Sequence, residues 1–152
     1  MELKVGDKIP KFKAKDSNGV DFDSQTLVGV KPFVIYFYPK DNTPGCTAQA
    51  CSFRDQYEDF RDLGAEVIGV SSDSVASHQE FTRQYKLPFI LLSDSDQKIK
   101  KLFGVPSLLF GLVPGRVTYV ADKNGVIQMV FDRILATKHM LKAMETIKKL
   151  VL

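Results

Sequence analysis

Residues 36–55 read YFYPKDNTPGCTAQACSFRD and contain both cysteines of the chain. The apolar run 33–38 that leads into them is rich in β-branched and aromatic residues, which is typical of a strand buried on both faces. Prolines, an asparagine and a glycine in 39–45 predict a turn. From Cys46 onward, apolar residues recur at spacings of three and four, which predicts a helix that Gly64 ends. The stretch therefore predicts a thiol in the first turn of a helix that follows a buried strand.

The segments on either side alternate between strand and helix patterns. A hairpin around Ser17-Asn18-Gly19 comes first. Strands are predicted at 65–71, 89–92, 116–121 and 126–131, and helices at 73–85, 93–103 and 137–152, with a helix pattern of 46–63 before them. In the last helix the apolar stripe is predicted to include Leu141, Met144 and Ile147. This order predicts an α/β domain whose central mixed sheet is flanked by helices.

Length and charge restrict the class of protein. The 152 residues are expected to form a single domain, 1–152. The net charge of +3 comes from interspersed residues, so no basic face for nucleic acid is predicted. No apolar run approaches the roughly 20 residues of a membrane span. The N-terminal MELKVGDKIP lacks the apolar core of a secretory signal, which predicts a cytoplasmic protein; a chloroplast protein is the alternative if a transit peptide has been removed.

Cys46 is predicted to be a nucleophile. Only a few per cent of a free cysteine, with its pKa of about 8.5, is thiolate at neutral pH. Unpaired amides and the dipole of the first helical turn favour the anion. Thr43 carries a hydroxyl that can donate to the sulfur or to a substrate oxygen, and Pro39 and Pro44 stiffen the turn. Without a secretory signal, two cysteines are more often catalytic than structural.

Cys51 follows Cys46 by five residues. In an intact helix the two Cα atoms would lie roughly 8–9 Å apart, with side chains about 140° apart around the axis. A disulfide requires a Cα separation below about 7 Å. The two cysteines can therefore bond only if the first helical turns unwind, and Cys51 is either a small core residue or a resolving thiol that acts after local unfolding.

The stretch resembles the active-site segment of peroxiredoxins, specifically the bacterioferritin comigratory protein/peroxiredoxin Q subfamily. Its signature, Pro-x-x-x-Thr/Ser-x-x-Cys, is matched by Pro39, Thr43 and Cys46, and Cys51 matches a second cysteine that often follows. Segments such as GAEVIGVSSDSVASHQEF and FGVPSLLFGLVPGRVTYVADKNGVI fall in the expected order. The resemblance implies a thioredoxin-like fold with an N-terminal β-hairpin extension. It also implies that Arg116 is the active-site arginine.

The resemblance further implies reduction of hydrogen peroxide and organic hydroperoxides without a metal or an organic cofactor. Cys46 would become a sulfenic acid, and Cys51 would condense with it to an intramolecular disulfide. Thioredoxin or a similar dithiol would reduce that bond. Thr43 and Arg116 would polarise the peroxide O–O bond. Because the subfamily includes many monomers, a monomer is expected.

Three other functions compete with this interpretation. A dithiol oxidoreductase of the thioredoxin kind would share the fold but uses Cys-x-x-Cys, whereas here four residues separate the cysteines. A redox sensor or binding protein would be oxidised once without fast turnover. A metal site from Cys46, Cys51, His78 and His139 is disfavoured because the histidines fall on separate predicted helices.

The apolar loop 105–113 either covers the sheet or forms an exposed patch beside the active site.

Overall fold

The computed structural model describes residues 2–108 and 113–151. Its strands are β1 (Lys13–Asp16), β2 (Asp21–Asp23), β3 (Phe33–Phe37), β4 (Glu66–Ser71), β5 (Ile90–Ser93), β6 (Ser107–Leu108), β7 (Val113–Pro114), β8 (Val117–Ala121) and β9 (Ile127–Asp132). Its helices are α1 (Pro44–Asp55), α2 (Tyr57–Asp62), α3 (Val75–Tyr85), α4 (Lys98–Phe103) and α5 (His139–Val151), with a 3₁₀ turn at Ser24–Thr26. Within the described ranges, no helix is both long enough and apolar enough to cross a membrane.

Seven strands form one mixed sheet in the order β2-β1-β5-β4-β3-β8-β9, and β6 pairs with β7 separately. The strands β3, β4 and β5 are parallel neighbours, because helices connect them. The strand β8 runs antiparallel to β3 and continues into β9 through a hairpin. The N-terminal hairpin extends the other edge through β1 and β5. The predicted element order and mixed sheet are confirmed.

The central strand β3 is buried throughout and divides the core into two. Val34 and Tyr36 face the side on which Phe53 of α1 and Ile147 of α5 pack. The alternate residues Phe33, Ile35 and Phe37 face a second cluster, which includes α4 and the residues before the N-terminal hairpin. Alternation along a strand sends successive side chains to opposite faces, so a fully apolar strand needs a core on each side. The end of β3 is thus rigidly placed, and α1 begins from it.

The helix predicted over 46–63 is two helices. It begins at Pro44, because proline suits the first helical turn, where its missing N–H costs nothing. The break lies at Gln56, whose φ of −108° and ψ of 7° are not helical. Phe53 and Phe60 are both buried on either side of this break. The apolar spacing therefore continues across it, and periodicity alone could not detect it.

Two further helices differ from their predicted forms. Helix α4 begins at Lys98, four residues after Asp94, whose carboxylate accepts from the amides of Ile99 and Lys100 at 2.9 Å. Helix α5 begins at His139, and its buried face is His139, Ala143, Met144 and Ile147. Leu141 of the predicted stripe is instead 58% exposed. Packing against β8 and β9 selected a face that includes a histidine, which a count of apolar residues does not favour.

The segment predicted as an apolar loop contains the short β6–β7 ladder. Val105 at its start is buried against the second core cluster. The two interpretations of the loop depend on apolar residues that lie outside the described part of the chain, namely Leu109, Phe110 and Leu112.

Candidate active site

Cys46 is the third residue of α1 and is 1% exposed. Thr43 immediately precedes the helix with an extended backbone, and Pro44 is its first residue. The Thr43 side chain caps none of the first-turn amides, and no acidic residue lies in that turn. The amides of Gly45 and Cys46 therefore remain available to an anion or to a substrate oxygen. The predicted placement of the thiol in the first turn is confirmed.

Arg116 lies beside the sulfur although it is 70 residues away in the chain. Its Nη2 atom donates to Cys46 Sγ at 3.4 Å, and its Nε atom donates to the carbonyl of Ile134 at 2.8 Å. The antiparallel pairing of β3 with β8 places Phe37 opposite Val117, so the residue before β8 meets the residues that follow β3. The guanidinium thus places a positive charge and a hydrogen-bond donor directly against the sulfur.

Gln49 completes the contact and was missed from the sequence. It follows Cys46 by three residues on the same helix face and is 1% exposed. Its Oε1 atom accepts a short hydrogen bond from Nη1 of Arg116, while its Nε2 atom has no hydrogen-bond partner among the described residues. The guanidinium is thus held at all three nitrogens. A polar residue on an otherwise apolar face was the signal in the sequence that could have found it.

Gly45 faces the same guanidinium from the helix backbone. A Cβ atom at this position would lie 3.2 Å from Nη2 of Arg116 and 3.9 Å from Cβ of Ala136. Contacts of 3.2 Å are tighter than nine in ten that real Cβ atoms make. The absence of a side chain at Gly45 therefore lets Arg116 approach the sulfur from this side.

Thr43 and Pro39 flank the turn between β3 and α1. The hydroxyl of Thr43 donates to the carbonyl of Lys40 at 2.9 Å, so its hydrogen is directed to the turn and not to the sulfur. Its oxygen keeps lone pairs that can accept a hydrogen bond. Pro39 is half-buried and follows Tyr38 directly. The turn is thus fixed internally, with an acceptor available beside the start of the helix.

Cys51 lies further along α1 and is half-buried. Both cysteines are free thiols, and the helix is continuous from Pro44 to Asp55 between them. The second half of α1 is firmly packed, since Phe53 stacks on Tyr36 with ring centroids 4.7 Å apart and planes at 12°. The two sulfurs can meet only if the first half of the helix unwinds.

The two histidines are far from forming a metal site with the cysteines. His78 has its ring nitrogens 2.7 Å from an Asp41 oxygen and 2.9 Å from the Leu92 carbonyl oxygen. His139 contacts Thr118 Oγ1 at 2.7 Å and the Arg133 carbonyl oxygen at 2.8 Å. In the described part of the chain, the group close enough to share a metal ion is Asp41, Asp73 and His78, without either cysteine. The four-residue site is therefore not assembled.

Residues 5–130 match the model of the AhpC/TSA family. The chain is 52% identical over 147 residues to chloroplastic peroxiredoxin Q of Sedum lineare, covering 94% of this chain and 78% of that protein. It is 53% identical over 131 residues to chloroplastic peroxiredoxin Q of Oryza sativa subsp. japonica, covering 86% of this chain and 60% of that protein. The chain thus spans between about three fifths and four fifths of the length of these plant relatives.

Solved structures agree with these relatives. Peroxidoxin BcpB of Mycobacterium tuberculosis superposes with a TM-score of 0.90 at 31% identity, covering 97% of this chain and 98% of that one. The bacterioferritin comigratory protein of Xanthomonas campestris, studied for alkyl peroxide reduction, superposes with a TM-score of 0.84 at 29% identity, covering 91% and 90%. These likenesses confirm the thioredoxin-like fold with its N-terminal hairpin. The chain belongs to the AhpC/TSA family and, within it, to the peroxiredoxin Q/bacterioferritin comigratory protein group of peroxiredoxins.

Proposed function

We propose that the chain reduces hydroperoxides with Cys46 as the peroxidatic nucleophile and Cys51 as the resolving thiol. One observation carries the proposal: a buried arginine donates to Cys46 Sγ at 3.4 Å in the first turn of a helix. The other hydrogen bonds of Arg116 go to neutral oxygens of Gln49 and Ile134, so its positive charge is directed at the sulfur that the reaction uses. Family membership favours a peroxidase over a dithiol oxidoreductase or a sensor.

In the first step the Cys46 thiolate attacks the terminal oxygen of the peroxide. A sulfur–oxygen bond forms and the O–O bond breaks; the sulfur keeps the terminal oxygen and its hydrogen as a sulfenic acid. The leaving alkoxide or hydroxide takes a proton from water. Arg116 and the free amides of the first turn stabilise the developing negative charge. The Thr43 oxygen accepts a hydrogen bond from the peroxide O–H without taking its proton, and Pro39 keeps the turn rigid.

In the second step the first turns of α1 unwind and the Cys51 sulfur attacks the sulfenic sulfur. A disulfide forms and one water molecule leaves. In the third step an external dithiol, thioredoxin or a similar protein, reduces the disulfide by exchange and becomes a disulfide itself. No metal or organic cofactor enters this sequence, because the sulfur atoms carry all the electrons.

A groove beside the site supports organic hydroperoxides as substrates. It runs between α1 and the start of α5 and is lined by Ala48, Ser52, Ala136, Thr137, Lys138, Met140 and Leu141, and most of its surface is apolar. The neighbouring Leu135 is 72% exposed, and Ala136 lies against Gly45. An apolar groove next to the nucleophile gives an alkyl chain a place to leave water. The alkyl peroxide activity studied in the Xanthomonas relative agrees with this choice.

The wider setting is also proposed. Residues 1–152 act as one thioredoxin-like domain, and the protein works as a monomer with a dithiol partner. The plant relatives are named as chloroplastic, which supports the chloroplast over the cytoplasm.

The test is peroxide consumption with a thioredoxin system, with mass spectrometry of the cysteines. Cys46→Ser is expected to abolish consumption. Cys51→Ser is expected to give one equivalent of peroxide reduction per chain and then to stop, because the sulfenic acid has no resolving partner. Steady turnover by Cys46→Ser would refute the assignment of the nucleophile, and unchanged turnover by Cys51→Ser would refute that of the resolving thiol. Insulin reduction without peroxide consumption would instead support a dithiol oxidoreductase.

A further inference from the structure

A buried polar network holds the turn that precedes α1. Its centre is the carboxylate of Asp41, which is 6% exposed. The carboxylate contacts Tyr38 Oη at 2.5 Å, Ser77 Oγ at 2.8 Å and His78 Nδ1 at 2.7 Å. The backbone amide of Asp41 donates to the carboxylate of Asp73 at 2.8 Å. Four contacts thus join the turn to the end of β3, to α3 and to the loop before α3.

His78 extends the network to the sheet. It is fully buried, and its Nε2 atom lies 2.9 Å from the carbonyl oxygen of Leu92 in β5. A carbonyl oxygen only accepts, so Nε2 donates to it, and the other ring nitrogen, Nδ1, contacts Asp41. Burial and the nearby Asp41 carboxylate raise the pKa of Tyr38 well above its usual value, so its hydroxyl remains a donor. Moving the turn would break several buried hydrogen bonds together.

The far side of α1 is held in a different way. Phe53 is buried against Tyr36, and Nη1 of Arg54 donates to the carbonyl of Tyr85 at 2.9 Å. Between these two anchors, α1 has small residues at Gly45, Ala48 and Ala50 and contacts Arg116 through Cys46 and Gln49. The first two turns of α1 therefore lie between the Asp41-centred network and the anchors at Phe53 and Arg54, and Arg116 contacts them through Cys46 and Gln49.

We propose that the Asp41-centred network resists the movement of the turn before α1 that accompanies unwinding of the first helical turns, and thereby sets how the Cys46 sulfenic acid is partitioned. This inference rests on the proposed function. In the folded form, the sulfenic acid stays beside Arg116 and reacts with a second hydroperoxide to give a sulfinic acid and an alcohol. In the unwound form, it reacts with Cys51 to give the disulfide and water. The network favours the folded form, so Asp41, Ser77 and His78 are positioning residues for the peroxidatic site.

The test weakens the network and measures the two products. Asp41→Asn replaces one of the two carboxylate oxygens that face Tyr38, Ser77 and His78 with an amide nitrogen, and Ser77→Ala removes a single donor. Reduced protein receives pulses of hydrogen peroxide of increasing concentration, and mass spectrometry counts disulfide and sulfinic acid. Asp41→Asn is expected to raise the ratio of disulfide to sulfinic acid roughly threefold to tenfold, the size that one or two lost hydrogen bonds produce. Ser77→Ala is expected to shift it in the same direction by a smaller factor.

Phe81→Leu is the matched control. Phe81 is buried on the same helix as His78 and Ser77, so the substitution weakens the packing of α3 without removing a contact to Asp41. Its ratio of disulfide to sulfinic acid is expected to stay within about twofold of the parent's ratio. A twofold change corresponds to about 0.4 kcal/mol, which is the usual scatter between independent sites. An unchanged ratio in Ser77→Ala and Asp41→Asn, or an equal shift in Phe81→Leu, overturns the inference. Should Asp41→Asn fail to fold, Ser77→Ala decides.

This failure is distinct from failure of the proposed function. If the parent protein neither consumes peroxide nor oxidises Cys46, the proposed function is wrong. If the parent forms both products and the network variants leave their ratio unchanged, only the role of the network is wrong.

Discussion

Gly45→Ala separates the rate of peroxide reduction from the stability of the fold. The added Cβ would lie 3.2 Å from Nη2 of Arg116, so the guanidinium must give way by a few tenths of an ångström. That same nitrogen donates to Cys46 Sγ, already at 3.4 Å. The substitution is therefore expected to lengthen the contact that we propose activates the thiol, while both Arg116 and Cys46 keep their side chains.

The structure gives the size of the effect. A hydrogen bond to a charged group contributes about 1.5–3 kcal/mol, and partial loss of this contact would remove about 1–2 kcal/mol from transition-state stabilisation. The rate constant for peroxide reduction should then fall roughly 5- to 30-fold. Alanine is about 1 kcal/mol better than glycine inside a helix. Unwinding should therefore become harder, and disulfide formation should slow by roughly fivefold.

The assay is single-turnover peroxide reduction with reduced protein, followed by the appearance of the disulfide. Chemical denaturation measures the free energy of unfolding beside it. The expected combination is a slower reaction in a protein that is no less stable than the parent. The matched background is Arg116→Gln, because a double-mutant cycle isolates the coupling between the two positions. In that background Gly45→Ala should have little further effect on the peroxide rate.

Two results would refute this reasoning. A parent-like peroxide rate in Gly45→Ala would mean that the guanidinium adapts without losing the sulfur. An equal fall in rate with and without Arg116 would mean that the methyl group acts by another route, such as blocking the substrate.

Two further predictions concern buried groups near the site. Tyr36 has a buried hydroxyl without a hydrogen-bond partner among the described residues. Tyr36→Phe should therefore leave the free energy of unfolding unchanged or raise it by about 1 kcal/mol. A loss above about 2 kcal/mol in urea denaturation would show that the hydroxyl has a partner. Burial lowers the pKa of His139 below its usual 6.5, so the unfolded chain binds a proton that the folded chain resists, and stability should fall as the pH drops through 6.5 and below. His139→Asn should remove that part of the pH dependence. The measurement is the free energy of unfolding at each pH relative to the same protein's value at about pH 7.5. If this free energy falls with pH as steeply in the variant as in the parent, His139 is not the group responsible.

The sequence by itself predicted the parts of this protein that depend on near neighbours. The apolar run before the turn, the proline at the start of α1 and the spacing of Cys46, Ala50 and Phe53 are local patterns, and they place the thiol in a first helical turn. The helix geometry also separates Cys46 from Cys51, because the rise and rotation per residue are fixed. The signature at Pro39, Thr43 and Cys46 then identified the family.

Some local predictions were wrong because periodicity does not report hydrogen bonds. The break at Gln56 leaves the apolar spacing intact, and the buried face of α5 includes His139 in place of Leu141. Helix α4 begins at Lys98 and not at the predicted 93, although Asp94 accepts from the amide of Ile99. The buried face of α5 is set by packing against β8 and β9, which a helical wheel does not contain.

Only the tertiary structure decided the partners of the thiol. The register of β3 against β8 brings Arg116 to Cys46, and Gln49 then becomes the residue that holds the guanidinium. The contact between Asp41 and His78 joins residues 37 positions apart on different elements. Sequence spacing fixes which side chains share one helix face, whereas sheet register and packing fix which faces meet. The contacts of residues 36–55 are therefore decided in part by Arg116, just before β8, and by α3, which lie outside them.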